Sequence, residues 1–326
     1  MADDKLVKLL FLDKNCHAEV LHLGECWQNI IRNQHLPVPV AHMLGELTCA
    51  ALMLAVNLKF KGSVILQIQG DGPVRLALVE VRDGLTVRAT AQMNVKAEEV
   101  PENATFKDLV NAHGNGRCAM ILDAADRAAG EQPYQSVVPL TGETVAKTLE
   151  SFLTQSDQLS TRLWLAAGET SAGGILLQHV ANTGGKGGDS EKTPEETLAE
   201  ITVYADTVTR EELLYDDAMT LARHLFWELN PTVSKELKPK FQCRCSMAGI
   251  RSIVKSLGKD EAESIIKERG TIEVTCSFCG AKYVMDAIDV EALFHPQTVT
   301  PPTTSQPTAG PGAAHPPAAT RRIRRR

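Results

Sequence analysis

At 326 residues the chain is long enough to bury a substantial core and to divide into more than one domain. The net charge is −6, and five arginines sit in residues 321–326, which leaves the rest of the chain near −11, a body that repels nucleic-acid phosphates. No run of eighteen apolar residues occurs. The nearest, Val38 to Val56, contains His42, Glu46 and several small residues, and reads as a buried helix rather than a membrane span.

The opening Met1-Ala2-Asp3-Asp4 is acidic where an export signal is basic, so a cytoplasmic chain with reduced cysteines is expected. Residues 1–188 read as an α+β core built on a mixed sheet. Val64, Leu66 and Ile68 alternate before the turn Gly70-Asp71-Gly72-Pro73, and Leu76, Leu78 and Glu80 to Val81 lead to Asp83-Gly84, a two-residue hairpin signal, so a β-meander is predicted. Thr105 and Asp108 mark a helix start, and strands follow at Cys118–Leu122 and Gln135–Val138, the latter bounded by Pro139. Cys16, Cys26, Cys49 and Cys118 are scattered and read as buried thiols, while His17, His22, His42 and His179 read as surface or core histidines. No Ser/His/Asp triad or paired-carboxylate pattern is present, so no enzyme is expected. The glycines around Lys186 lack the spacing of a phosphate loop and read as a flexible linker.

Residues 189–240 read as a helical, metastable linker. Thr193 with Glu196, and Thr209 with Glu212, are capping boxes, and Pro194 suits a first helical position. Over residues 191–240 eleven acidic and six basic side chains accompany Leu213, Leu214, Leu221, Leu225, Phe226 and Trp227. A charged segment with an apolar stripe needs a surface to lie against, since isolated helices are marginal in water.

Residues 241–295 form a small cysteine module. Ile250, Ile253, Val254 and Leu257 recur at helical spacing up to Gly258, Asp260 with Glu263 starts a second helix ending near Gly270, and Ile272 and Val274 alternate into Cys276. Cys243 and Cys245 form a C-x-C pair, and Cys276 and Cys279 a C-x-x-C pair, together the tetrahedral sulfur set that Zn2+ prefers. With every ligand supplied by protein, no open position remains for a hydrolytic water. The same sulfurs can instead oxidise pairwise, so the spacing is compatible with an inert zinc staple and with a redox switch. A nucleic-acid-binding zinc protein using the arginine tail is the alternative, opposed by seven basic against eight acidic side chains in this module. A thiol oxidoreductase using Cys276 and Cys279 is opposed by the lack of a thioredoxin-like βαβ context. Residues 296–326, rich in Pro, Thr and Ala and ending in arginines, are expected to be disordered.

From about Leu6 to Phe294 the chain resembles the redox-regulated thirty-three-kilodalton heat-shock chaperonin family of bacteria. The segments that carry the likeness are Lys59-Phe60-Lys61-Gly62, Gly70-Asp71-Gly72-Pro73, Gln155-Ser156-Asp157-Gln158, Gly173-Gly174-Ile175-Leu176-Leu177-Gln178, Phe241-Gln242-Cys243-Arg244-Cys245-Ser246 and Cys276-Ser277-Phe278-Cys279-Gly280. The chain departs from the family at Met247-Ala248-Gly249, where Arg-Glu-Arg is common, and at Cys16-His17-Ala18-Glu19, where Arg-Gly-Glu is usual. The resemblance implies an ATP-independent holdase for unfolding proteins. One Zn2+ per chain is held by Cys243, Cys245, Cys276 and Cys279 in the reduced form, and oxidation yields Cys243–Cys245 and Cys276–Cys279 disulfides, zinc release and linker unfolding. It also implies a homodimer when oxidised and hand-over of clients to ATP-dependent chaperones.

Overall fold

The computed structural model describes residues 3–12, 14–58, 61–128, 130–157, 160–179 and 193–294. The glycine-rich stretch at 181–190 and the tail at 296–326 lie outside the described residues. In chain order the elements are β1 (Lys5–Phe11), β2 (Cys16–Leu23), α1 (Glu25–Ile31), α2 (Val38–Asn57), β3 (Gly62–Gln69), β4 (Val74–Arg82), β5 (Thr86–Met93), α3 (Phe106–Val110), β6 (Arg117–Ala124), β7 (Tyr134–Pro139), α4 (Val145–Asp157), β8 (Thr161–Ala167) and β9 (Ala172–His179). They continue with α5 (Pro194–Ala205), α6 (Arg210–Tyr215), α7 (Ala218–Phe226), β10 (Thr232–Leu237), β11 (Lys240–Phe241), α8 (Met247–Leu257), α9 (Lys259–Arg269), β12 (Ile272–Thr275), β13 (Lys282–Met285) and α10 (Ala287–Phe294). This is the α+β class expected from the sequence.

Two compact units are present, Met1–Ile250 with Glu273–Val284, and Arg251–Ile272 with Met285–Arg326. In the smaller unit α9 packs on α10, Ala262 and Val290 are buried, and Arg251 pairs with Asp289 at 3.1 Å. The larger unit holds a five-stranded antiparallel sheet ordered β10-β1-β2-β9-β8 and a six-stranded sheet ordered β11-β5-β4-β3-β6-β7. Helix α2 is long and apolar enough to cross a membrane by length and composition, yet it is mostly buried between the sheets, and its Leu44, Leu47 and Leu52 are fully inside.

The five-stranded sheet is covered on both faces. Leu6, Leu21, Leu23 and Leu176 join the main core with α2, while Val7, Leu9, Phe11, Val20, Ile175 and Leu177 face α5, α6 and α7 and bury Leu198, Ile201, Leu213, Leu221, Leu225 and Phe226. That double cover explains why β2 is buried at every position instead of alternating. The capping boxes at Thr193 and Thr209 form as read, each threonine hydroxyl accepting from the backbone N–H three residues on.

Three local expectations are corrected. Residues 191–240 are helical only to Phe226, with one further turn to Leu229; Thr232–Leu237 is a strand that pairs with β1, and Lys240–Phe241 runs parallel to β5. Trp227 does not join the apolar stripe and is 67% exposed. The β4–β5 connection has three residues rather than two, because Arg82 pairs with Thr86 and Leu85 takes a positive φ to reach the core. In addition, α9 starts at Lys259, with Asp260 inside its first turn rather than at its cap.

Candidate metal centre

Two loops bring the cysteines together. The short β11 runs beside β5, where the Gln242 N–H donates to the Val87 carbonyl at 3.0 Å, and this delivers Cys243 and Cys245 over the outer face of the six-stranded sheet. Between β12 and β13 the chain turns tightly: the Gly280 N–H donates to the Cys276 carbonyl at 2.8 Å and the Cys276 N–H to the Ala281 carbonyl at 2.9 Å. Gly280 has φ +71 and lies 2.5 Å, measured from an added Cβ, from the Asn33 side chain, so only glycine fits this turn without strain.

The four sulfurs lie within 4.8 Å of one another, which is the set expected from the sequence. Cys243 Sγ is 3.4 Å from Cys245 Sγ and 3.6 Å from Cys276 Sγ, and Cys245 Sγ is 3.4 Å from Cys279 Sγ. Disulfide sulfurs would be about 2.0 Å apart. A tetrahedron with Zn–S of about 2.3 Å has edges of ~3.8 Å, so the donor set and its spacing fit a Zn2+ ion. These separations favour neither neighbouring nor crossed sulfur pairs.

Burial raises the Cys279 thiol against the Ala281 amide that lowers it, and with Cys245, Cys243 and Cys276 adding to the rise it reaches about 12. The Tyr283 hydroxyl, hydrogen-bonded to Cys245, is likewise held up to about 12. By contrast Cys16 and Cys118 are buried apart and pushed by burial to about 12, and burial pushes Cys26 and Cys49 well up too, so these thiols are inert. His17 and His22 are core residues, as read.

Of the groups that seat the two loops, Glu80, Arg88, Thr90 and Asn33 escaped the sequence reading. Ala77, Val79 and Val81 are the core face of β4, which turns Glu80 onto the opposite face, still only 5% exposed. There Glu80 pairs with Arg244, which lies between the first two cysteines, and with Arg88 of β5 at 2.6 Å. The Arg88 guanidinium also stacks over Phe278, 4.2 Å from the ring centroid. Thr90 Oγ1 donates to the Ser277 carbonyl at 2.9 Å, and Asn33 Nδ2 to the Cys279 carbonyl at 2.7 Å. The signal in the sequence was a carboxylate within the apolar run from Leu76 to Val81.

Fold and site together define an α+β protein with a four-thiol cluster, able to hold a metal ion, seated on its core sheet. A family model described as "Hsp33 protein" matches residues 4–286, and the chain belongs to the Hsp33 family. The 33 kDa chaperonin of Methylobacillus flagellatus is 34% identical over 299 residues, covering 91% of this chain and 97% of the relative. That of Nitrosococcus oceani is 33% identical over 303 residues, covering 93% and 98%. A crystal structure of the 33 kDa chaperonin (Heat shock protein 33 homolog) from Thermotoga maritima shares the fold with a TM-score of 0.71 at 20% identity, over 89% of this chain and 97% of that one.

Proposed function

We propose that this chaperonin is a redox-gated, ATP-independent holdase of the bacterial cytoplasm, not an enzyme, and that it binds unfolding proteins when its cysteine centre is oxidised. The observation that carries the reading is the convergence of Cys243, Cys245, Cys276 and Cys279 within 4.8 Å in a chain whose linker helices cover an apolar sheet face. Bound there, Zn2+ would keep the four sulfurs ionised and contribute on the order of 10 kcal/mol to the local fold. The protein's part is to supply four sulfurs from two tight turns, exclude other ligands, and withhold the sheet face until the centre is lost.

Each disulfide forms as two thiolates give up two electrons to hydrogen peroxide, which takes up two protons from solvent and leaves as two waters. The proposed pairs are Cys243–Cys245 and Cys276–Cys279, with one zinc released per chain. In the proposed organisation residues 1–188 are the chaperone core, 189–240 the metastable linker, 241–295 the redox-switch domain and 296–326 a tail. Once α5, α6 and α7 lift, Val7, Leu9, Phe11, Val20, Ile175 and Leu177 offer a contiguous apolar face to clients. The oxidised form acts as a homodimer and hands clients to ATP-dependent chaperones.

The test is light scattering by a thermally unfolding client, with reduced zinc-loaded protein or peroxide-treated protein added and released zinc read by a chromogenic chelator. Suppression by the oxidised form alone, with about one zinc freed per chain, is expected. Equal suppression by both forms would remove the gating.

A further inference from the structure

The two halves of the cysteine centre come from loops more than thirty residues apart in sequence, yet they share one anchor. Arg244 ties the Cys243–Cys245 loop directly to Glu80. Arg88 ties the Cys276–Cys279 loop to the same carboxylate, by an ion pair on one side and the Phe278 stack on the other. Burial pushes the Glu80 carboxyl up, but Arg88 and Arg244 outweigh it and hold it down to about 2, so it is charged whenever the protein is folded near neutrality. Ser63 and Arg82 complete its partners, at 3.0 Å each.

We infer that Glu80 is a positioning residue of the metal centre, a single buried carboxylate that holds both cysteine loops in register on the β4–β5 face and so sets how tightly the ion is retained before oxidation. This deepens the proposed function and rests on its metal reading. The physical reason is preorganisation. Four sulfurs must be held within a few tenths of an ångström, and groups outside the ligand set that orient the ligands are worth about 10–100-fold in metal affinity. Thr90 and Asn33 grip only the second loop. Glu80 alone among these anchors reaches both, so losing its charge loosens both loops at once and leaves two arginines without their shared partner.

The test measures zinc affinity of the reduced full-length protein by competition with a chromogenic chelator. It compares wild type, Glu80→Gln, Arg244→Gln, Arg244→Lys and the Glu80→Gln/Arg244→Gln pair, each with far-UV circular dichroism and the Tm of the metal-free form. Glu80→Gln and Arg244→Gln are expected to weaken zinc retention by about 10–100-fold. The pair should be no weaker than Glu80→Gln alone, because both changes break one ion pair. Arg244→Lys, which keeps the charge, should stay within about threefold of wild type. Metal-free Arg244→Gln should melt with wild type, which a merely structural loss would not allow. Retention within about twofold of wild type in both Gln variants, with native spectra, overturns the assignment. If Glu80→Gln does not fold, the Arg244 variants decide on the same thresholds. Wild-type protein that binds no zinc overturns the metal reading and the role of Glu80 together. Wild type that binds zinc and gates, with variants indistinguishable from it, removes the role of Glu80 alone.

Discussion

Glu19 sits in β2 with no exposed surface, opposite Lys8 of β1 at 3.2 Å, in a family position where this chain reads Cys16-His17-Ala18-Glu19. Burial pushes its carboxyl up to about 7 against the pull of Lys8, and burial with Lys8 pushes the neighbouring His17 down to about 3. The two groups act with opposite sign. A carboxyl raised in the folded state contributes stability that is full below its ordinary 4.5 and lost as pH rises through about 7. A histidine kept neutral contributes stability that is lost as pH falls from 6.5 towards about 3. Comparison of Glu19→Gln with wild type isolates the first: relative to the variant, wild type should lose on the order of 1–3 kcal/mol between about pH 5 and pH 8, read from denaturant midpoints. A constant difference would mean that Glu19 does not titrate there. Gly173 gives a second prediction. A Cβ on it would run into the Leu213 carbonyl oxygen, so Gly173→Ala should lift α6 from β9 at a cost of about 1–3 kcal/mol. The reduced protein would then suppress client aggregation without oxidant, and light scattering reads the gain.

At the scale of elements, the linker helices are held by few local devices. Thr193→Ala and Thr209→Ala each remove a cap worth about 1 kcal/mol, and each should raise the uncovered population roughly fivefold. Cleavage of residues 193–229 by a dilute protease should accelerate in proportion, and unchanged cleavage would place the linker's stability entirely in packing such as the edge-on contact of Phe226 with Phe11, 5.6 Å between centroids. These helices were legible because caps and apolar spacing are local signals. So were α2, from a long run of small and apolar residues with few polar interruptions, and the cysteine quartet, from spacing alone. The strand β10 was not: five of its six residues are exposed, and it exists only because β1 offers an edge. Glu80 meets Arg88 through the register of the β4–β5 hairpin, but the sequence could not bring Arg244 to them, since that depends on β11 running alongside β5. Distant pairing leaves no trace in local periodicity.

For the whole molecule, the cysteine centre, its anchors and the covered face all lie within residues 5–283. Deleting residues 296–326 should therefore leave zinc content and oxidant-dependent protection within about twofold of the full chain, measured by chelator titration and light scattering. Nucleic-acid binding that disappears with the tail would revive the alternative reading instead. The pairing of β10 with β1 has a further outcome. Because β9 precedes the linker helices and β10 follows them, both ends of the cover are fastened to the sheet it hides. The cover is thus a tethered competitor, present at an effective concentration near the millimolar range however dilute the protein. Under the proposed function a client must outbid that competitor to stay bound, and any restoration of the cysteine centre strengthens it. Release would then need no separate machinery: the protein carries its own displacing agent, always at the same distance from the site.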